Sequence, residues 1–394
     1  MIDTFEIDGF AVGCHGAMAE IAQTDWDGCD TEGHSLLQHR HLRILEECGI
    51  AVPAAGFHPH HLVLTDACGQ VVGAAPTYLK TSSAGEMGVD LGLPLAHLRA
   101  AGPYYPKLQV EVPMIPNPGP RLLVRPGANR VRVQAALIAA LQALAGRLGA
   151  SSVQIAHMAH RDQQAATGAG FLPNGGNVFV WHSRGATSFP DLVASMTQNG
   201  RTRVRKERKR IAELGLRFER LQGDAITADM APRMFDFYKA TYDRYATTPP
   251  LNPQYFKAVL DEMRDVVNLS VAFRDDYWEA VLMSFVGSDR ILAEFWGLAT
   301  PTDGLLFEMY YREMEFALAN GLEAIDFGST GHHKILRGIG IEATRHALWF
   351  RDRKFGEAAA AACRRRLAAA TEEREAEGRK LPFSDKSVHT EEAA

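Results

Sequence analysis

"RILAEFWGLATPTDGLLFEMYYREMEFALANGLEAIDFGS" occupies residues 290–329. Its first ten residues, apolar and aromatic, read as a strand. A loop with Pro301 and Gly304 follows, then a helix over 305–321 that ends at Gly321 as its C-cap, then the strand "EAIDFGS" at 323–329. The same order, strand, loop, long helix, Gly, strand, recurs at 121–158, where "RLLVRPG" precedes "NRVRVQAALIAALQALAGRLGA" and "SSVQIAHM". Recurrence of that unit predicts two related α/β domains with mixed, mostly antiparallel sheets.

Outward from 290–329, segments 266–275, 278–287 and 290–299 read as a three-strand meander, with further strands at 177–182, 216–222 and 343–352. Helices are expected at 33–50, 161–168, 189–214, 229–246 and 253–264, and two strands within 61–80. The expected domains are 1–184 and 185–355, followed by an Ala-rich, then charged tail, 356–394, that is helical at first and partly disordered. Apolar residues make up 46% of the 394, enough for two full cores. Five scattered cysteines without a CxxC pair read as reduced thiols. No basic, apolar leader opens the chain, and its longest apolar run, 135–146, is too short to span a bilayer, so a cytoplasmic protein is expected.

The charge distribution is uneven. Seven of the ten residues from Arg201 to Arg210 are Arg or Lys against one acid, Glu207, which makes the run +6 in a chain of net charge −5 and leaves −11 for the rest. On a helix Arg201, Arg205 and Arg208 share a face, which Arg203, Lys206 and Arg210 broaden, while Met196, Val204, Ile211 and Leu214 form the opposite stripe. Like charges four apart repel, so the run is destabilising unless an anion compensates it. The two readings are a solvated face and a phosphate-backbone partner.

Segment 305–338 resembles a bacterial FemAB-like family, the peptidoglycan biosynthesis/recognition proteins. The resemblance rests on Phe295-Trp296-Gly297, on Phe307-Glu308-Met309-Tyr310-Tyr311 and on the loop Gly331-His332-His333-Lys334-Ile335-Leu336-Arg337-Gly338. Earlier matches are Ser83-Ala84-Gly85-Glu86, Tyr104-Tyr105-Pro106-Lys107-Leu108 and the basic run; together they cover roughly residues 33–353. The family usually has His at Leu306, Glu at His332, Pro at Ile341 and an aromatic at Val89. The resemblance implies tandem GNAT-like acyltransferase domains and transfer of an aminoacyl group from a charged tRNA to an amine. It places Lys334 at the chemistry, as cation for the oxyanion, with His333, Glu308 and Asp326 as candidates to take the amine proton. It implies substrate contacts at Arg337, Tyr310, Tyr311 and Trp296, and at Glu86, Tyr104, Tyr105 and Lys107 in the first domain. It implies tRNA contacts at Arg201, Arg203, Arg205, Lys206 and Arg208.

The donor is read from the phosphate loops. A CoA-using domain needs a basic, Gly-rich turn into a helix N-terminus. "TPTDG" (300–304) has no basic residue, and "RPGANR" (125–130) is a degenerate match. Aminoacyl-tRNA is therefore the expected co-substrate, without a cofactor, and acetyl- or acyl-CoA the alternative. His58, His60 and His61 find no ligand-spaced partner, so no metal is expected. Without a GxSxG turn or a Cys–His pairing, the amine of a small molecule or peptide would attack the donor ester directly. A non-catalytic binding module of the same fold is the third reading.

Overall fold

The computed structural model describes residues 2–85, 90, 92–244 and 246–384. It divides into two compact units, and the division is not the expected one at 184/185. The first unit runs to Gly176 and takes in Ala343–Ala370; the second comprises Asn177–Glu342 and the segment from Thr371. The strands Leu172–His182 and Gly340–Phe350 each run across the division.

In the second unit, Arg217–Gln222, Val267–Arg274, Tyr277–Val286 and Arg290–Leu298 form the expected antiparallel succession. Arg290–Leu298 then pairs in parallel with Ala324–Asp326, Arg290 opposite Ala324. Parallel neighbours need a crossover, and the helix Leu305–Ala319 supplies it. Leu172–His182 adds antiparallel to the far side of Ala324–Asp326.

The first unit departs from the repeat inferred from sequence. The two-residue strand Leu123–Val124, which precedes the long helix Arg130–Arg147, pairs with Val71–Ala75 in a five-stranded antiparallel sheet. The strand after that helix, Ser152–Ile155, lies parallel to Lys107–Val110 instead. Only the second unit therefore keeps strand, helix and strand in one sheet. Sequence reading also missed the opening hairpin, Ile2–Ile7 with Phe10–His15. Its turn, Asp8–Gly9, has φ of 50° and 80°, the left-handed pair that two-residue hairpin loops prefer.

One helix boundary differs for an identifiable reason. The basic segment is two helices, Phe189–Ser195 and Gln198–Ala212, because Thr197 caps the second by accepting from the Gly200 amide. The helix expected to open the tail is Arg353–Gly378, which buries Phe355, Ala359, Cys363 and Ala370 at helical spacing; the tail's end, 385–394, lies outside the described residues. Beyond it Leu381 and Phe383 are buried in the second unit's core, and the Thr197 amide donates to the Pro382 carbonyl at 2.6 Å.

Gly297, in the aromatic-Trp-Gly strand end, is where the helix Ala231–Asp243 presses on the sheet. A Cβ there would lie 2.3 Å from the Phe237 carbonyl oxygen. Gly297→Ala is expected to cost about 1–3 kcal/mol through overpacking. Urea unfolding of the variant beside the parent measures it, and an unchanged midpoint contradicts the close approach.

Candidate active site

The helix Leu305–Ala319 starts at Gly304, whose φ of 86° lets the chain turn directly into the first helical residue. On its far side Ala324–Asp326 ends in a loop with left-handed glycines at 328, 331 and 338, and a short 3-10 turn, His332–Arg337. That loop folds Lys334 back against the strand end.

Lys334 is 5% exposed. Its ammonium donates to the carbonyls of Phe327, at 2.5 Å, and Thr330, at 2.6 Å, and lies 5.2 Å from the Phe179 ring centre and 5.9 Å from that of Tyr310. An ammonium has three protons to donate, so two carbonyls leave one for another acceptor. Burial pushes the pKa of Lys334 down to about 8, against the opposing charges of Asp326 and Glu294. Asp326, 1% exposed, is pushed up to about 6 by burial, although its carboxylate accepts from the Gly328 amide at 2.7 Å. The His333 ring lies parallel to Tyr310 and 5.4 Å from Phe307; desolvation, then the charges of Lys334 and Arg337, lower its pKa. Lys334, Asp326, His333 and Tyr310 are thus brought together.

Glu308 is held elsewhere. It is 3% exposed and pairs with Arg208 at 3.2 Å and with Arg312 at 3.0 Å. Burial raises its pKa in spite of both arginines, and its Oε2 has no hydrogen-bond partner among the described residues. The charge of Lys334 is felt by Asp326 and Glu294 rather than by Glu308. Arg208 also holds Glu315 at 2.5 Å, so it braces the two helices and is occupied. Arg201 is likewise occupied by the carbonyls of Met196 and Ala194. Trp296 is half-buried on the core and offers its carbonyl to Thr241 at 2.8 Å.

The helix face that meets open space is a different one. A cavity of about 410 Å³ is lined by Arg203, Lys206, Glu207, Arg210, Phe307 and Arg337, with Gly304 at the start of the Leu305–Ala319 helix. The cations that "TPTDG" lacks are therefore supplied by the basic helix. Asp303, in that loop, pairs with Arg210. The Arg337 guanidinium lies 3.3 Å over the Phe307 ring and donates to Glu207 and to the His333 carbonyl, each at 2.6 Å; Tyr311 donates to the same Glu207 at 2.7 Å. Arg205 is exposed and off this face.

The remaining expected contacts belong to the first unit. Tyr104 donates to Asp90 at 3.0 Å, and Lys107, fully buried, donates to the other oxygen of Asp90 at 2.5 Å and to Gln154. Tyr105 packs edge-on against Tyr104; Glu86 and Val89 lie outside the described residues. In "RPGANR" Arg125 is held by the Val71 carbonyl, Arg130 pairs with Asp30 at 3.3 Å and Asn129 caps the helix. Among the described residues no cluster of three or more His, Cys, Asp or Glu could hold a metal, and no helix is long and apolar enough to cross a membrane.

Sequence reading missed a polar row in the first unit. Strand registers set Tyr78 opposite Gln109 and Gln109 beside Gln154, all fully buried. The Tyr78 hydroxyl, both polar atoms of the Gln109 carboxamide and Gln154 Nε2 have no hydrogen-bond partner among the described residues. The alternation of Lys107, Gln109 and Glu111 with Leu108, Val110 and Val112 was the available signal, but period-two alternation does not say whether the polar face is wet or covered.

The profile of the FemAB-like family, described as peptidoglycan biosynthesis/recognition, matches residues 17–385, and the chain belongs to that family. With the membership go the acyltransferase class and the GNAT-like fold. No curated protein sequence matches. Among solved structures FemX superposes with a TM-score of 0.54 at 12% identity, over 91% of this chain and 100% of its own. The C-terminal domain of a putative lysylphosphatidylglycerol synthetase from Agrobacterium fabrum gives 0.51 at 12%, over 84% and 92%. L-PGS from Bacillus licheniformis gives 0.50 at 10%, over 79% and 90%. At these identities the likeness is one of fold.

A buried polar atom without a partner costs about 1–3 kcal/mol. Gln109→Leu is therefore expected to stabilise the ligand-free protein by an amount in that range, read from its unfolding midpoint. A destabilised variant places a hydrogen-bond partner on Gln109.

Proposed function

We propose that the protein transfers an aminoacyl group from aminoacyl-tRNA to the amine of a small molecule or peptide, in the cytoplasm and without a cofactor. The observation that carries this reading is the cavity at the start of the Leu305–Ala319 helix. Arg203, Lys206, Arg210 and Arg337 face it, and a helix N-terminus favours anions. Lys206 and Arg205 are exposed cations able to follow a phosphate backbone beyond the cavity.

In this reading the acceptor amine attacks the ester carbonyl, a C–N bond forms, and the ester C–O bond breaks. The ribose hydroxyl leaves with a proton, and the amine loses one. The third N–H of Lys334 would donate to the oxyanion. Asp326, with its raised pKa, and His333, kept neutral, are the candidates to take the amine proton. Glu308 instead braces the two helices. The second reading, an acyl-CoA donor, draws on the same cavity, where a pyrophosphate would meet the helix N-terminus. Arg125, held by the Val71 carbonyl, speaks against a CoA site in the first unit.

Two outcomes separate these readings. Wild-type protein is expected to bind aminoacyl-tRNA with affinity that falls steeply with salt, because neutralised phosphates release counterions. Arg203→Glu with Lys206→Glu should weaken that binding at least tenfold. Binding of acetyl-CoA in place of tRNA, in the same titration, selects the second reading.

Lys334→Met is expected to keep the fold and donor binding and to cut single-turnover transfer a hundredfold or more. The sign of the pH effect follows from the lowered pKa. The ammonium form predominates below about pH 8 and is lost above it, so transfer should decline as pH rises through 8. A variant with near-normal transfer, or a rate flat to pH 9.5, removes the Lys334 cation from the mechanism.

A further inference from the structure

We propose that Glu207, the lone acid of the basic run, is a positioning residue that fixes the Lys334 loop through Arg337. The inference rests on the reading that Lys334 acts on the acyl group, and its geometry lies wholly within the second unit.

Glu207 stands on the basic helix, 130 positions before Arg337, yet its Oε1 accepts from the Arg337 Nη2 at 2.6 Å while its Oε2 accepts from the Tyr311 hydroxyl at 2.7 Å. Both oxygens are thereby committed to two different elements, the loop and the Leu305–Ala319 helix. Arg337 is clamped on three sides: Glu207 on Nη2, the His333 carbonyl on Nη1 and the Phe307 ring beneath the guanidinium plane at 3.3 Å. His333 is the residue before Lys334, so holding its carbonyl fixes the peptide plane from which Lys334 departs. A second strut from the same helix, Arg203 to the Leu336 carbonyl at 3.3 Å, steadies the far end of the turn.

The loop is also anchored by Ile335, buried in the core, but its two ends are backbone of unusual freedom. It is flanked by Gly331 and Gly338, both in the left-handed region, and its inner hinge is a 3-10 turn of six residues. Glycine hinges give the backbone freedom that must be removed by side-chain ties if the ammonium is to stay on the Phe327 and Thr330 carbonyls.

A carboxylate among seven cations is also misplaced if the only purpose of the helix is to attract a polyanion, since it lowers the local positive field. Glu207 lines the same cavity as Arg203, Lys206 and Arg210. With side-chain exposures of 16% and 9%, Glu207 and Arg337 form a pair largely withdrawn from solvent, where charge-assisted hydrogen bonds hold geometry best.

The test uses the full-length protein with Glu207→Ala and Glu207→Gln. Amide hydrogen exchange by mass spectrometry should rise tenfold or more over 331–338 in Glu207→Ala, while strands 267–298 keep their protection. The Gln variant retains two hydrogen-bonding atoms and should recover part of the protection. Binding of aminoacyl-tRNA should stay equal or tighten, because a negative charge has left the cavity. Turnover should fall at least tenfold, and the alkaline limb of the rate should move upward as water reaches Lys334.

Unchanged exchange at 331–338, or a rise spread evenly over the whole unit with a proportionate loss of binding, overturns the proposal. If wild-type protein transfers nothing from aminoacyl-tRNA, the functional reading fails while the exchange measurement still decides whether Glu207 holds the loop.

Discussion

A helix carrying seven cations in ten residues must find its counter-charges outside itself, and the arrangement of the second unit follows from where it finds them. Three acids on neighbouring elements answer it: Glu308 and Glu315 take Arg208, and Asp303 takes Arg210. These pairs fix the basic helix along the Leu305–Ala319 helix, which is itself fixed as the crossover between parallel strands. Of the cations that no acid takes, Arg203 and Lys206 face one cavity at the start of that crossover helix. Self-repulsion is thus relieved on one face and kept on the other. A pair between a 4%-exposed Glu308 and a 31%-exposed Arg208 is worth more than a surface pair, although the loss of hydration on the glutamate side offsets part of the gain.

The buried lysine shows the complementary solution. Its direct partners are carbonyl oxygens rather than a carboxylate, with Asp326 acting only at a distance through its charge. Carbonyls satisfy hydrogen bonds without neutralising the cation, so the positive charge stays available to an oxyanion. The same burial that holds the ammonium in place lowers its pKa, and the residue then works as a cation only below about pH 8.

Much of this was legible in the chain. The unit at 290–329 could be read because a strand, a glycine-closed helix and a second strand leave distinct periodicities, and the motif at 331–338 announced itself by its flanking glycines. The choice of helix face could not be read. Arg201, Arg205 and Arg208 share a face on any helical wheel, but the wheel does not say that Arg201 will find the Met196 carbonyl or Arg208 two glutamates. Periodicity puts Glu308 and Tyr310 on different sides of one helix but does not say that Glu308 turns toward Arg208 and Tyr310 toward the loop. The tail's helix was legible, but what it packs against was not, for a compositional reason. Alanine and charge dominate 356–380, so the four residues that bury one face of the helix, and Leu381 and Phe383 beyond it, were outweighed.

The position of His332 shows how the family's pattern can change without losing its loop. Where relatives usually carry Glu, this chain has His332, and its two ring nitrogens lie 3.7 Å from Glu373 and Glu377 on the Arg353–Gly378 helix. A glutamate at 332 would face two acids there. The ring is 61% exposed, so the contribution to stability is small.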